Sequence, residues 1–244
     1  MFTLDSVVPW GRNLSEYRRM FLLTDDDMGK RIAGFGDGPT SFNAEATRMG
    51  CDITSFDPVY GFSRDQLEER IHEVRDIMMD QIRSNLDNYE WDSLKNPDVL
   101  ETIRMSTMHM DDFDVGKDEG RYIPHELPRR LPFDDGAFDI GLSSHFLLMY
   151  TQLGYDLHIA SIDEMLRVCR EVRIFPLVDL NSDESEMIGD VIDHYSGSYE
   201  VSILKTDYRF QKGGDRLLVI QRSSLRWVRQ PRLSLVCHHR TYDL

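Results

Sequence analysis

One stretch of the sequence carries most of the information on the fold: Ile32-Ala-Gly34-Phe-Gly36-Asp-Gly38-Pro39, followed after a helical segment by Ile53-Thr-Ser-Phe-Asp57. A short apolar strand leads into three alternating glycines, and a second strand ends in a carboxylate. Glycine lets the backbone turn tightly and approach a ligand closely. Asp57 comes 23 residues after Gly34, where nucleoside-binding α/β domains place the carboxylate that accepts hydrogen bonds from ribose hydroxyls. The two stretches therefore predict the nucleoside-binding half of an α/β domain.

The spacing of the glycines distinguishes between nucleotide ligands. A dinucleotide fingerprint has the order G-x-G-x-x-G, whereas this chain has G-x-G-x-G followed by Pro39, a residue suited to the first turn of a helix. The pattern therefore argues against a nicotinamide-dependent oxidoreductase, an alternative that tight NADH binding would favour. A second alternative is a glycine-rich turn between a strand and a helix that binds no ligand.

Strands and helices alternate along the rest of the chain, which predicts an α/β fold. The last two strands are joined by a turn at 211–215, so we expect a terminal β-hairpin. The result is a Rossmann-like sheet of seven mostly parallel strands with helices on both faces. The predicted strands are 31–34, 52–56, 121–127, 138–143, 171–177, 199–206 and 216–221, and the predicted helices between them include 39–49, 161–170 and 187–195.

A helical insertion follows the second strand, at about 63–118. Ser63 and Gln66 form a capping-box pattern, and apolar residues then recur every three or four positions from Leu67 to Leu86, which predicts a helix of about 24 residues. A second helix is expected from Asn96-Pro97 onwards. The insertion is interpreted as a cap over the ligand-binding edge of the sheet, with a homodimer interface as the alternative. Residues 1–222 then form one domain.

Two segments resemble the class I S-adenosylmethionine-dependent methyltransferases. The glycine stretch with Asp57 resembles motifs I and II of that family, and Leu131-Pro-Phe-Asp-Asp-Gly-Ala-Phe-Asp-Ile resembles the segment that leads into its fourth strand. The resemblance covers about 31–222, apart from the insertion. It implies S-adenosylmethionine as the cofactor and O- or N-methylation of a small-molecule acceptor.

The resemblance also implies roles for individual residues. A helix near Ser15 would lie across the cofactor site and make Arg12 and Tyr17 candidate contacts. His145, at the end of the fourth strand, is the candidate catalytic base because imidazole titrates near neutral pH; a structural role for His145 is the alternative, and His158 is a weaker candidate. The candidate cofactor-binding residues are Gly34, Gly36, Gly38, Asp57, Glu126 and Ser143.

One position departs from the family pattern. Motif I has an acid two residues before its first glycine, and this chain has Ile32 there. Asp37, inside the glycine stretch, is the candidate to replace that acid. The departure keeps open a second hypothesis, a catalytically inactive methyltransferase-like protein with a binding or regulatory role.

The composition excludes several classes of partner. The chain has 244 residues and is 41% hydrophobic. Its net charge of −15 argues against a nucleic-acid partner, because phosphate binding needs a basic surface.

The segment 223–244 is locally basic and is expected to be a poorly ordered tail, with a partner-binding arm as the alternative. No run of 18 apolar residues predicts a membrane span, and no signal peptide is apparent.

The cysteines and acidic runs predict neither a disulfide framework nor a metal site. The three cysteines form no C-x-x-C pair, which fits a reducing compartment, and we expect a cytoplasmic protein. The run His109-Met-Asp111-Asp112-Phe-Asp114 contains metal-ligand residue types. We interpret it as a solvated helix end, because metal-dependent methyltransferases cluster their acids near the end of the fourth strand.

Overall fold

The computed structural model describes residues 10–91, 95–107 and 111–222. In that part of the chain, seven strands form one sheet in the order β3-β2-β1-β4-β5-β7-β6. β7 is antiparallel to both β5 and β6, and the other neighbouring pairs are parallel. The strands are β1 (Arg31–Phe35), β2 (Asp52–Phe56), β3 (Tyr122–Ile123), β4 (Phe138–Ser144), β5 (Cys169–Phe175), β6 (Tyr199–Lys205) and β7 (Arg216–Arg222). This arrangement confirms the predicted Rossmann-like sheet of seven mostly parallel strands with a terminal hairpin.

The strand register brings the predicted site residues to one edge of the sheet. Phe35, the last residue of β1, is paired with Phe56 on β2 and with Ser143 on β4. Because all three strands are parallel, the residues that follow them emerge side by side at their carboxyl ends. Gly36, Asp57 and Ser144 therefore share the edge where ligands bind in such sheets.

Helices cover both faces of the sheet, as predicted. Successive residues of a strand point to opposite faces, and Ile32 belongs to one buried cluster while Ala33 belongs to the other. The cluster around Ile32 includes the insertion, and the cluster around Ala33 includes α7 and α8. The helices are α1 (Leu14–Met20), α2 (Asp25–Met28), α3 (Phe42–Arg48), α4 (Arg64–Ser84), α5 (Pro97–Thr107), α6 (Phe113–Asp118), α7 (Tyr155–Val168) and α8 (Ile188–Ser196).

Some boundaries differ from the predicted ones for local reasons. β3 covers two residues because Pro124, which has no N–H, follows it directly. α3 begins at Phe42 rather than at Pro39, since the N–H of Ser41 donates to the carbonyl of Arg12 at 3.1 Å. α7 begins immediately after Gly154, which has a φ of +86°, and is therefore longer than predicted.

The insertion forms the two predicted helices, α4 and α5, and a third helix, α6, that was not predicted. The Ser63 hydroxyl accepts from the N–H of Gln66 at 3.2 Å, and the Gln66 side chain accepts from the N–H of Ser63 at 3.0 Å, so the capping box is present. α4 ends at Ser84, and Leu86, predicted to continue its apolar stripe, is exposed. The buried side of α4 packs in the same cluster as Ile32 and Ile53.

The acidic run lies at the start of α6. The Asp112 carboxylate forms an ion pair with Arg121 at 2.8 Å, and His109 lies outside the described residues. Among the described residues, no group of three or more metal-ligating side chains comes together. The basic segment 223–244 is also outside the described part, so its role stays a prediction.

Within the described residues, every helix is too short or too polar to cross a lipid bilayer.

Candidate functional site

A cavity of about 340 Å³ lies at the carboxyl ends of β1, β2 and β4. This volume is in the range of small-molecule sites. The walls come from the N-terminal segment, the glycine loop, the loops after β2, β3 and β5, the end of β4 with the segment that follows it into α7, the insertion, and the segment between β6 and β7. Representative lining residues are Arg12, Tyr17, Gly36, Asp37, Gly38, Asp57, Val59, Met78, Tyr89, Glu126, Ser144, His145, Phe146 and Phe210.

The glycine loop places two backbone positions against the cavity. Gly36 has a φ of +69° and Gly38 a φ of +60°, a region that other residues rarely adopt. A Cβ atom on Gly36 would lie 2.9 Å from Cδ1 of Phe146. Gly36 therefore serves both the turn and the close approach of an aromatic ring beside the cavity.

Gly34 has a different function from the other two glycines. It is not among the residues that line the cavity. A Cβ atom at this position would lie 1.8 Å from Oδ2 of Asp37. The missing side chain therefore makes room for the carboxylate of Asp37, which folds back over the strand end.

Asp37 is the buried acid of the glycine loop. Its carboxylate accepts from the hydroxyl of Tyr17 at 2.7 Å and from the hydroxyl of Ser55 at 2.7 Å. Burial, with a further contribution from Asp57, raises the pKa of Asp37 to about 7. Ile32, at the position of the usual motif I acid, is fully buried in the core.

Asp57 joins the loop after β2 to the glycine loop. One carboxylate oxygen accepts from the N–H of Gly38 at 2.9 Å, and the other accepts from the N–H of Val59 at 2.9 Å. Burial raises the pKa of Asp57 to about 6. A carboxylate has about four lone-pair positions, so Asp57 retains acceptor capacity on the side that lines the cavity.

The end of β4 contributes Ser144 and His145 to the cavity, whereas Ser143 points elsewhere. The Ser143 hydroxyl is fully buried and has no hydrogen-bond partner among the described residues. The Ser144 hydroxyl lies 2.9 Å from Nδ1 of His145. His145 has a φ of +54°, and its backbone N–H donates to the carbonyl of Phe175 at 2.7 Å. This backbone bond fixes the position of His145 beside the cavity.

The surroundings of His145 favour the neutral form of its imidazole. Burial holds its pKa well below the usual range, and the nearby positive charges of Arg12 and Arg104 act in the same direction. A neutral imidazole accepts a proton or a hydrogen bond, but a low pKa makes it a weak base.

The other two candidates lie at the rim and in the core. Glu126 lines the mouth of the cavity, where its half-exposed carboxylate forms an ion pair with Arg129 at 3.2 Å. His158 is fully buried and bonds the backbone: Nδ1 accepts from Leu148 at 3.3 Å and Nε2 lies 3.1 Å from the carbonyl of Tyr150. His158 does not line the cavity.

Several lining residues come from parts of the chain that the motifs do not cover. The N–H of Glu90 donates to the carbonyl of Phe210 at 2.7 Å, and the rings of Tyr89 and Phe210 stack at 4.8 Å. These contacts bring the segment between α4 and α5 and the region before β7 to the same wall. Trp10, on the N-terminal segment, lines the cavity as well. No local sequence signal identifies such long-range neighbours.

Comparisons with known proteins give one relative by sequence and several by structure. The uncharacterized protein MJ0045 of Methanocaldococcus jannaschii is 35% identical over 221 residues, which cover 90% of this chain and 98% of that protein. No protein-family model matches the chain.

Among solved structures, three similar ones are methyltransferases by description. A putative S-adenosyl-L-methionine-dependent methyltransferase of Methanococcus maripaludis is 11% identical, with a TM-score of 0.40 and coverage of 88% of this chain and 85% of that one. A SAM-dependent methyltransferase of Aquifex aeolicus is 8% identical, with a TM-score of 0.40 and coverage of 85% and 92%. The methyltransferase domain of bacterial CtHen1 is 11% identical, with a TM-score of 0.46 and coverage of 86% and 100%.

Proposed function

The chain belongs to the same family as the uncharacterized protein MJ0045 of Methanocaldococcus jannaschii, and we propose that it is an S-adenosylmethionine-dependent methyltransferase with a small-molecule acceptor. One observation carries the proposal. The glycine loop and the Asp57 carboxylate meet in a cavity at the carboxyl ends of parallel strands, linked by the bond from Gly38 to Asp57. This is the position in which α/β sheets bind nucleosides.

The residues present fit S-adenosylmethionine. Asp57 would accept from the ribose hydroxyls with its remaining lone pairs, and Gly36 and Gly38 would let the backbone lie against the nucleoside. Asp37, held by Tyr17 and Ser55, would provide the negative charge for the amino end of the methionine part. When bound, this cofactor supplies a methyl carbon activated by a sulfonium.

The residues at the end of β4 suit an acceptor with a hydroxyl or an amine. With its proton on Nδ1, His145 donates to the Ser144 hydroxyl and leaves Nε2 to accept the acceptor's proton. Positioning is the larger contribution of such a site, because methyl transfer is an in-line displacement that needs the two reactants aligned. Met78, Ile82 and Tyr89 of the insertion line the same cavity, which supports a cap function of the insertion rather than a homodimer interface.

The low pKa of His145 and the buried Ile32 favour a second candidate function. In this alternative the protein binds the cofactor but has lost methyl transfer and acts as a binding or regulatory protein. Turnover of S-adenosylmethionine with any acceptor would exclude the alternative.

Calorimetric titration with S-adenosylmethionine and S-adenosylhomocysteine tests the proposed cofactor. We expect dissociation constants in the micromolar range, which is typical of enzyme ligands. Asp57→Ala removes a charged acceptor, so we expect affinity to fall at least about tenfold. Asp76→Ala, a change on the exposed side of α4, is the matched control and leaves the affinity unchanged. Failure of the unaltered protein to bind either compound at millimolar concentration would contradict the proposal.

A further inference from the structure

Two hydrogen-bond donors of the N-terminal segment lie in the cavity wall without an acceptor. The indole N–H of Trp10 and the Nε–H of Arg12 are buried and have no partner among the described residues. Trp10 is 8% exposed and Arg12 is 6% exposed, and both line the cavity. A buried donor without a partner costs free energy, so two at one place indicate a ligand that supplies oxygen acceptors.

The charge of Arg12 has no direct ion pair among the described residues, because the nearby carboxylate of Glu16 pairs with Arg104 and acts on Arg12 only from a distance. Within the described residues no carboxylate lies within 4.0 Å of its guanidinium. Its Nη1 donates only to the backbone carbonyl of Trp10, at 3.1 Å. The neighbouring Arg104, in contrast, forms an ion pair with Glu16 at 2.7 Å. Two buried arginines thus share one carboxylate, and a buried cation without a direct ion pair is expensive in an empty site and favourable in one that binds an anion.

The position of Arg12 is fixed by the fold. Its carbonyl accepts from the N–H of Ser41, at 3.1 Å, and from the hydroxyl of Thr40, so the segment is held against the loop that follows the three glycines. The same cavity is lined by the apolar or aromatic side chains of Met78, Tyr89 and Phe210. The cavity therefore combines the Arg12 cation and the Trp10 donor with an apolar surface, and it also has three carboxylates, those of Asp37, Asp57 and Glu126.

We propose that Trp10 and Arg12 form a subsite for the carboxylate of an apolar, aromatic methyl acceptor. The inference rests on the proposed function, since it assigns the acceptor class. The planar guanidinium matches a carboxylate, which accepts two parallel N–H bonds, and one singly charged group balances one unpaired arginine. The cofactor also has a carboxylate, on its methionine part, that could bind Arg12. We assign the subsite to the carboxylate of the acceptor, because apolar residues of the insertion line the same cavity as Arg12.

Titration of benzoate and of its neutral analogue benzamide tests the subsite. In protein saturated with S-adenosylhomocysteine, we expect benzoate to bind at least about tenfold more tightly than benzamide, as for hydrogen bonds to a charged group. Arg12→Met should abolish that preference, and Arg12→Lys should restore part of it. Arg70→Gln, on the exposed side of α4, is the control and should retain the preference. Equal binding of the two probes, or binding of neither, would overturn the inference.

A second pair of ligands separates the two sources of carboxylate. S-adenosylhomocysteine has the methionine carboxylate, and 5′-methylthioadenosine lacks it. If Arg12 binds the acceptor, Arg12→Met leaves the affinity for both compounds unchanged. Selective loss of S-adenosylhomocysteine affinity in this variant would assign Arg12 to the cofactor and overturn the inference.

The thermal midpoint of Arg12→Met distinguishes a binding role from a structural one. Because the change removes a buried charge without a direct ion pair and leaves Glu16 to Arg104, we expect the midpoint of the free protein to stay or rise. A lower midpoint would show that Arg12 serves the fold and would contradict the subsite. If the unaltered protein binds neither adenosyl compound, the proposed function fails on its own, and the benzoate preference of the free protein still decides the subsite.

Discussion

At the level of single residues, Asp37 is the candidate for a function that the family pattern assigns to an acid at position 32. The usual acid position holds Ile32, which is buried in the core, and Asp37 reaches back over Gly34 to bond Tyr17 and Ser55. The sequence identified Asp37 as the candidate replacement. It did not predict the partners, since they depend on the relative placement of α1 and β2.

The pH dependence of stability should report the buried state of Asp37. Its pKa is raised from 3.8 to about 7, so the folded protein binds the proton more tightly than the unfolded chain does. This contribution to stability is present below about pH 4 and is lost as the pH rises through 7. The side chain of Asp37→Asn stays neutral throughout this window. As the pH rises, the free energy of unfolding of this variant, relative to that of the unaltered protein, should therefore increase by about 1 kcal/mol per pH unit. Urea unfolding at pH 5, 6 and 7 measures the difference, and a constant difference would contradict it.

Gly36 and Gly136 form a matched pair of left-handed glycines. Both have a φ near +70°, so replacement of either by alanine should cost about 1–2 kcal/mol of unfolding free energy. A Cβ on Gly136 meets open space, whereas one on Gly36 meets the ring of Phe146 at 2.9 Å. We therefore expect only Gly36→Ala to weaken S-adenosylhomocysteine binding, by about tenfold. Equal affinities of the two variants in calorimetry would show that the glycine loop does not contact the ligand.

At the level of helices and strands, a buried ion pair joins the insertion to the rest of the domain. Arg104 of α5 is fully buried and pairs with Glu16 of α1 at 2.7 Å, and both side chains bond the hydroxyl of Tyr208. The sequence predicted this helix from Asn96-Pro97 onwards. It missed Arg104 because an arginine at the core face is read as polar and exposed.

Glu16→Gln should show how much this pair contributes. The change leaves the Arg104 charge buried without its counter-ion, which typically costs about 3–5 kcal/mol. Arg75→Gln is the control, because the ion pairs of Arg75 with Asp76 and with Glu101, at 2.8 and 3.6 Å, are open to solvent and such pairs contribute little. Urea unfolding of both variants measures the effect. A loss no larger in Glu16→Gln than in the control would contradict the assignment of this pair as the link.

The elements that local signals define were predicted closely, and those that depend on distant contacts were not. β2 has the predicted bounds, and α4 has the predicted capping box, since both follow from neighbouring residues. The cavity wall formed by Tyr89 and Phe210 was not predicted, because these residues are joined only by the folded chain. Of the predicted site residues, Gly36, Gly38, Asp57, Glu126 and His145 line the cavity, while Gly34 and Ser143 do not.

For the whole molecule, the dominant property is a net charge of −15. Self-repulsion among like charges destabilises the compact state, and salt screens it. We therefore expect the thermal midpoint to rise when sodium chloride is increased from 0.05 to 0.5 M, because the Debye length shortens and the repulsion between surface charges is screened. Differential scanning calorimetry measures this shift. A midpoint that falls with salt would show that ion pairs outweigh the net repulsion.

A crystal structure with bound S-adenosylhomocysteine tests the proposed site most directly. The ribose hydroxyls should lie within hydrogen-bonding distance of the Asp57 carboxylate, with the nucleoside against Gly36 and Gly38 and the sulfur towards Ser144 and His145. A nucleoside bound outside this cavity, or a cavity that stays empty at saturating concentration, would contradict the account.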